Sequence, residues 1–421
     1  MSQYLKKLTV RFASTAGLNA HNRLLLETIQ RPQWIYRAGQ SIPYFKLYFE
    51  QPENSAEGIT LCKRLIAAYE YASGSSVPSG TLDVSKTEGI WSAIINAHYS
   101  PLLSALNQKN AEELAKLLGA MFQQKFMLGI ASGVLHATGH NRLSEKLWSL
   151  KYINSLVSLA EFLGLERAEC PEQGVIGYAV RDGVDKLISR IEQKLERSID
   201  VPRIGAPHGI EVAGTLVTSD SPEHIYVAAR ASQLIDLFLD SDQSNCPKVV
   251  EIGAGYGGTA YWLLQLNRKI SSYTIIDLPL VNVLQGYYLS KSLGEDQVSL
   301  YGEDRKKIAV LPTHAIGVSY DAPFDLLLNE NSMPEMPENA IAKYLAWAAS
   351  NCRGLFYSYN QEAYSCFDGV PQILVPEVVQ LIGGYQLLTR SPSWLRRGYV
   401  EEVYRCPKAA ARWPSKASQQ N

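Results

Sequence analysis

Lys248-Val-Val-Glu-Ile-Gly-Ala-Gly-Tyr-Gly-Gly-Thr-Ala260 reads as a strand, a glycine turn and the start of a helix. Val249, Val250 and Ile252 form a short apolar run, the pattern of a strand buried on both faces of a parallel sheet. Glycines follow at 253, 255, 257 and 258. Each costs backbone entropy, so four within six positions imply a turn whose geometry demands them. From Thr259 the spacing turns helical, with Ala260, Trp262, Leu263 and Leu266 on one side. Strand, glycine turn and helix together open a doubly wound α/β unit, and such folds bind nucleotide-like cofactors at that turn.

Two cofactors compete for the turn. Gly253, Gly255 and Gly258 fit the dinucleotide fingerprint G-x-G-x-x-G, and Asp277 stands where that pattern places its ribose-binding acid, about 20 residues on. Three features favour S-adenosylmethionine (SAM). Glu251, two residues before the first glycine, is similar to the acid in motif I of class I methyltransferases. The unit begins past the chain midpoint, behind a large helical-looking region. The chain also ends in a predicted strand pair, Tyr385 to Thr389 and Tyr399 to Arg405, which resembles the methyltransferase sheet more than a dehydrogenase.

With 421 residues, two domains are expected. A hydrophobic content of 46% and a net charge of −1 describe an ordinary globular chain, with no basic excess for nucleic acid. Arg11 interrupts the apolar run behind Lys6 and Lys7, against a signal peptide. Leu114 to Leu135 carries Gln123, Gln124 and Lys125 near its middle, so it is expected to be a buried helix and not a membrane span. Six scattered cysteines without a C-x-x-C argue against disulfides or structural zinc and fit a reducing cytoplasm. His136 and His140 share a helical spacing but have no carboxylate beside them, so no metal is assigned.

Apolar periodicity predicts a mostly helical domain over 1–197, available for substrate recognition or self-association. Its helices include one near 141–163, along Leu143, Leu147, Leu150 and Val157. Another follows Val180, Val184, Leu187, Ile188, Ile191 and Leu195. Ser73 to Gly80 is expected to be a loop. Residues 198–240 read as a linker and lead-in helix. Pro202, Gly205, Pro207, Gly209 and Gly214 mark an irregular connection carrying His208, and Ser221 is expected to cap a helix with His224 at the capping-box position. Residues 241–408 alternate strand and helix, with further strands at 273–276, 298–301, 324–328 and 355–359, which means a parallel sheet wrapped by helices. Residues 409–421 read as a tail.

The segments Val249 to Ala260, Tyr273 to Pro279, Asn329 to Met336, Tyr357 to Asn360 and Ser393 to Tyr404 resemble the bacterial sugar O-methyltransferase family. Motif I is common to all class I enzymes. Ser332-Met-Pro-Glu-Met336 and Gly398-Tyr-Val-Glu-Glu-Val-Tyr404 are more specific to the family. The resemblance covers about 202–404, with Ala254 where glycine is common. It implies a Rossmann-like methyltransferase sheet with a terminal antiparallel strand, SAM as cofactor, and a hydroxyl acceptor on a polysaccharide, nucleotide sugar or glycosylated natural product. Glu251, Gly253, Ala254, Gly255, Gly257, Asp277, Leu278, Asp304 and Asn329 are then the expected cofactor residues. Asp277 would meet the ribose, Leu278 the adenine face, and Asp304 the adenine amino group.

A sugar hydroxyl is a weak acid, so a base must take its proton as the methyl arrives. Open α/β sheets bind substrates beyond the carboxyl ends of their strands. Glu335, His208 and Glu330 are the candidate bases, with Glu401 and Glu402 behind them. Were a metal-bound hydroxyl to act instead, Asp304, Glu330 and Glu402 would be the ligands to test. The alternatives are an NAD-linked oxidoreductase, for which no catalytic Tyr/Lys, His or Cys set is recognisable, and an inactive methyltransferase fold serving assembly.

Overall fold

A computed structural model describes residues 44–74, 90–131, 142–168, 180, 182–239, 246–317, 320, 322–362, 366–367 and 370–408. The expectations for the chain start, the tail, His136, His140 and most of the Ser73 to Gly80 loop fall outside them. The chain divides into two compact units, neither of them continuous in sequence. One takes in Met1–Phe49, Leu135–Val201 and His208–Ser219; the other takes in Glu50–Val134, Pro202–Pro207 and Asp220–Asn421.

In the first unit β1 (Leu47–Phe49), β2 (His208–Val212) and β3 (Thr215–Thr218) form an antiparallel sheet. Val212 pairs with Thr215, so Ala213 and Gly214 alone make the turn, and both have positive φ, 51° and 88°. That is the backbone a two-residue hairpin requires. The stretch expected to be an irregular connection therefore holds a hairpin, its strands written in Ile210, Val212, Leu216 and Val217, all buried. Helices Arg142–Phe162 and Val184–Leu195 belong to the same unit. The second buries Val184, Leu187, Ile188 and Ile191 at the predicted spacing.

The second unit is built on a mixed sheet of β4 (Lys248–Ile252), β5 (Ser272–Asp277), β6 (Val298–Ser299), β7 (Ile308–Pro312), β8 (Phe324–Glu330), β9 (Cys352–Gln361), β10 (Gln386–Pro392) and β11 (Tyr399–Arg405). Their order across the sheet is β10-β11-β9-β8-β4-β5-β7-β6. From β9 to β6 every pairing is parallel. β11 enters antiparallel to β9, and β10 hairpins back onto it. The sheet is thus doubly wound and closes with an antiparallel pair, as expected. The order reverses at β4, the switch point where ligands collect in open α/β sheets.

One expected strand is displaced. Val298 to Tyr301 supplies only the two-residue edge strand β6, and the third core strand is β7. Ile308–Pro312 is short, follows Arg305-Lys-Lys307 and ends in proline, which hid it. Between the strands run α5 (Ser221–Leu234), α6 (Gly258–Leu266), α7 (Pro279–Leu293), α8 (Glu338–Asn351) and α9 (Val375–Ile382). Ile341, Tyr344, Leu345 and Ala348 of α8 and Val375, Val378 and Val379 of α9 bury against Phe324, Leu327 and Phe356. All are 5% exposed or less, so removing any of these large side chains should cost about 2–5 kcal/mol.

Residues from earlier in the chain join this unit as α1 (Ser55–Gly74), α2 (Ile90–His98), α3 (Ser100–Asn107) and α4 (Ala111–Leu118). α1 packs on both α4 and α7: a Cβ at Gly58 would sit 3.4 Å from the Ala115 Cβ and 3.6 Å from the Tyr287 hydroxyl, ordinary contact distances. The expected single helix over Leu114 to Leu135 is not formed. α4 stops before Gly119, and two short 3₁₀ turns, Met121–Gln123 and Lys125–Met127, carry the buried side chains onward. Among the described residues no helix is long and apolar enough to cross a membrane.

Candidate functional site

A cleft opens at the carboxyl ends of β5, β4 and β8. Its walls bring together Glu251, Gly253, Ala254, Gly255, Asp277, Leu278, Glu330 and Glu335 from the expected set. They also include His224, Trp91, Gly129, Ile130, Asn331 and Thr313, which sequence reasoning did not place there.

The glycine turn is obligatory. Gly253, Gly255 and Gly257 have φ of 71°, 58° and 95°. Residues with a Cβ rarely adopt this region. At Gly253 a Cβ would also lie 2.1 Å from Ser332 Oγ. Ser332 in turn donates to the carbonyl of Ile252 at 3.0 Å, and Asn329 Nδ2 donates to the same oxygen at 2.8 Å. Asn329 is fully buried beneath the turn and is not part of the cleft wall; it ties β8 to β4. Gly257 likewise packs behind the wall, against Leu289.

Asp277 ends β5 in front of the turn. Its carboxylate accepts from Leu278 N at 2.8 Å, from Gln285 Nε2 at 2.6 Å and from the backbone of Ala254. Gln285 also donates to the carbonyl of Gly255 at 2.9 Å, so one amide locks the acid and the turn together. A carboxylate offers about four acceptor directions, so about one remains for the cleft. Burial pushes Asp277 up to about 7 against these hydrogen bonds. Burial likewise pushes Glu251 up to about 8, with Tyr273 O–H donating to it at 2.7 Å.

Across the turn, Glu330 ends β8 and accepts from the Thr259 hydroxyl at the start of α6. It is 9% exposed, and burial raises it to about 7, opposed by the neighbouring imidazole of His224. His224 rides on the first turn of α5, where its backbone N–H bonds to Asp220 and its ring is left free to face the cleft. Its Nδ1 stands 3.3 Å from the Tyr256 hydroxyl. The ring lies on bare backbone at Gly258, where a Cβ would come 2.4 Å from Nδ1. Glu335 sits in the short turn Met333–Glu335, half-buried, and accepts from Trp91 Nε1 at 3.1 Å. Burial raises it too to about 7.

Between these acids Asn331 adopts a left-handed backbone, φ 59°. Its amide donates to Glu223 at 3.1 Å, and Arg396 pairs with the same carboxylate at 3.3 Å. Burial alone would push Glu223 up, but the Arg396 guanidinium and this amide outweigh it and hold the acid below its usual range.

The remaining expected residues lie elsewhere. Asp304 is exposed in the turn after β6 and does not line the cleft; Thr313, after the true third strand, does. His208 belongs to the other unit, buried in β2 and stacked on Phe49 with ring centroids 5.4 Å apart. Glu401 and Glu402 are buried in β11. Glu401 accepts from Tyr226, Tyr357 and Ser391, and Glu402 from Tyr404 and Arg390; neither lines the cleft. No cluster of three metal-ligating side chains occurs among the described residues.

Asn331 lies inside the Asn329 to Met336 segment, next to the candidate base Glu330, but was not itself a candidate. Trp91 is brought in by tertiary packing. His224 was legible as a helix-start residue, and its position just ahead of the glycine-turn strand was the available signal.

The chain matches no protein-family profile, and no curated protein matches it. Among solved structures, mitomycin 7-O-methyltransferase MmcR is similar over 83% of this chain and 95% of its own, at 11% identity and a TM-score of 0.34. An O-methyltransferase family 2 protein from Planctomyces limnophilus, in complex with apigenin, is similar over 60% of this chain and 92% of its own, at 10% identity and a TM-score of 0.31. Such likenesses are weaker than the strand order, on which the fold assignment rests. By that order and its closing antiparallel pair, the chain has the class I SAM-dependent methyltransferase fold.

Proposed function

We propose that this protein is a SAM-dependent O-methyltransferase acting on a sugar hydroxyl. One observation carries the reading. A single cleft at the sheet's switch point holds the glycine turn and Asp277 beside acids that can take a proton, Glu330 and Glu335, with the imidazole of His224 among them.

The charge of the lining supports SAM over NAD. Glu251, Asp277, Glu330 and Glu335 face the cleft, and no lysine or arginine is among its described lining residues. A dinucleotide would bring two phosphate charges to a lining of acids with no cation to meet them. SAM brings a sulfonium, an ammonium and one carboxylate, a net positive charge that these acids suit better. When bound, SAM supplies the electrophilic methyl group. The chain's own residues would hold it. The turn presents backbone, Leu278 an apolar face and Asp277 an acceptor for ribose. Gln285 would have to yield its hydrogen bond for Asp277 to accept two hydroxyls.

For the proton, we assign Glu330 as the base. It ends the strand next to the glycine turn, and the adjacent imidazole of His224 favours its ionised form. Glu335 lies further along the same loop and is assigned to the acceptor. The sugar rests on the resemblance of Ser332 to Met336 and Gly398 to Tyr404. The test is a screen of nucleotide sugars, lipid-linked glycans and glycosylated metabolites for a SAM-dependent gain of one methyl mass. Binding of NAD but not SAM in calorimetry would sink the assignment.

A further inference from the structure

We propose that Gln285 is a positioning residue for the cofactor. It holds the Asp277 carboxylate and the Gly255 carbonyl in one fixed relation, and it keeps both bonds when the cofactor binds. The inference rests on the methyltransferase reading and deepens it at the cofactor end of the same cleft.

Gln285 lies two turns into α7, is fully buried and does not itself line the cleft. A side-chain amide has two N–H donors on one nitrogen and a carbonyl acceptor. Here Nε2 donates to Asp277 Oδ2 at 2.6 Å and to the Gly255 carbonyl at 2.9 Å. Oε1 accepts from Asn282 Nδ2 at 2.9 Å, about one turn back on the same helix. A flipped amide would lose all three bonds and aim its oxygen at a carboxylate, so the orientation is set.

The two groups that it joins lie beyond the sheet ladder. The last pair between β4 and β5 is Ile252 with Ile276, and Gly255 follows at a φ of 58°. Leu278 N holds the other carboxylate oxygen, Oδ1, at 2.8 Å. With one oxygen on the backbone and one on Gln285, the carboxylate cannot rotate, and its remaining acceptor direction is fixed. That direction takes one ribose hydroxyl without disturbing the amide.

An amide suits this task better than the alternatives. A lysine or arginine would neutralise Asp277 before the cofactor arrives. An apolar side chain would leave Asp277 Oδ2 and the Gly255 carbonyl short of a buried partner. The amide orients the acid, leaves its charge available and favours its ionised form. Three titratable groups also act with Asp277: Glu251 from β4, Tyr99 ahead of α3 and Tyr344 from α8. Burial raises both phenols, which stay neutral, and pushes Glu251 up to about 8, above Asp277 at about 7.

The experiment is calorimetric titration of the full chain with S-adenosylhomocysteine from pH 6 to 8.5. It compares wild type, Gln285→Met and Asp277→Asn. Wild-type affinity should rise roughly fivefold or more across that range as Asp277 ionises, and Asp277→Asn should lack the rise. Gln285→Met keeps the length of the side chain and loses its hydrogen bonds. It should bind about tenfold more weakly at pH 8. Its rise should also move about half a pH unit or more upward, because the bond that favours the ionised acid is gone. A merely structural loss would lower affinity equally at every pH, and that result overturns the proposal. So does binding as tight as wild type or tighter, which would make the amide a competitor of the ribose. A rise that persists in Asp277→Asn, or is missing from wild type, overturns it too. If Gln285→Met does not fold, Gln285→Glu decides. The shape is kept and the added acid repels Asp277, so the loss relative to wild type should grow with pH; a level or shrinking loss overturns the proposal. Should wild type bind NAD and not S-adenosylhomocysteine, the methyltransferase reading falls, and the same titrations with NAD decide the role of Gln285. Binding of neither overturns both.

Discussion

Tyr273 and Glu251 share a hydrogen bond of 2.7 Å between neighbouring parallel strands, with the phenol donating to a carboxylate that is 1% exposed. This bond does not offset the cost of burial, which raises Glu251 to about 8. The sign for stability follows from linkage. A carboxyl group raised in the folded state contributes stability that is complete below its unfolded value, about 4.3, and is lost as pH climbs through the folded one. Glu251→Gln keeps an acceptor for Tyr273 and cannot ionise. Relative to wild type, the variant should be more stable at pH 9 than at pH 6 in thermal denaturation. An identical offset at both pH values would contradict the buried-acid account.

Asp277→Ala should weaken SAM binding by about 2 kcal/mol, roughly thirtyfold, because a charged acceptor is removed from the ribose side. Calorimetry on a variant with an unchanged melting temperature is the check. Unaltered affinity would take Asp277 out of the site.

Glu330→Gln should lower the methyl-transfer rate by roughly 10²- to 10⁴-fold and leave SAM affinity nearly intact. Only the ionised acid accepts a proton. With Glu330 raised to about 7, the wild-type rate should climb through neutral pH to a plateau. The His224 imidazole holds Glu330 lower than burial alone would, so His224→Phe should move that limb to higher pH. A limb that stays in place would separate His224 from the base.

Asn331→Ala should lower stability by roughly 1–3 kcal/mol in urea denaturation, because alanine tolerates the left-handed backbone poorly and cannot bond to Glu223. Asn331→Gly should recover the backbone share alone. Equal losses in both would mean that the 59° torsion is not what selects asparagine here.

The sheet was legible because buried parallel strands are written as contiguous apolar runs, and Val249 to Ile252 followed by four glycines fixed the switch point. The terminal pair was equally plain from Tyr399 to Arg405. The failures have physical causes. Ile308–Pro312 is too short and too closely flanked by cations to stand out; Asp304 follows only the edge strand, and it is Thr313, after Ile308–Pro312, that lines the cleft. Ala213 and Gly214 turn a hairpin that resembled a loop because its neighbours are rich in glycine and proline. One part of the cleft wall could not be read at all. Trp91, Gly129 and Ile130 have no local signature, and only the folded chain brings them to Glu335 and Gly255.

That last contact also sets a schedule for biosynthesis. Trp91 and Glu335 are 244 residues apart. At a translation rate of about 5–20 residues per second, Trp91 leaves the ribosome roughly ten to fifty seconds before its partner exists. α1 and α4 can pack on each other in that interval, but the faces that meet α7 and Glu335 stay uncovered. Newly made chains should therefore depend on chaperone capture, and a gene fragment ending before β8 should yield aggregated protein.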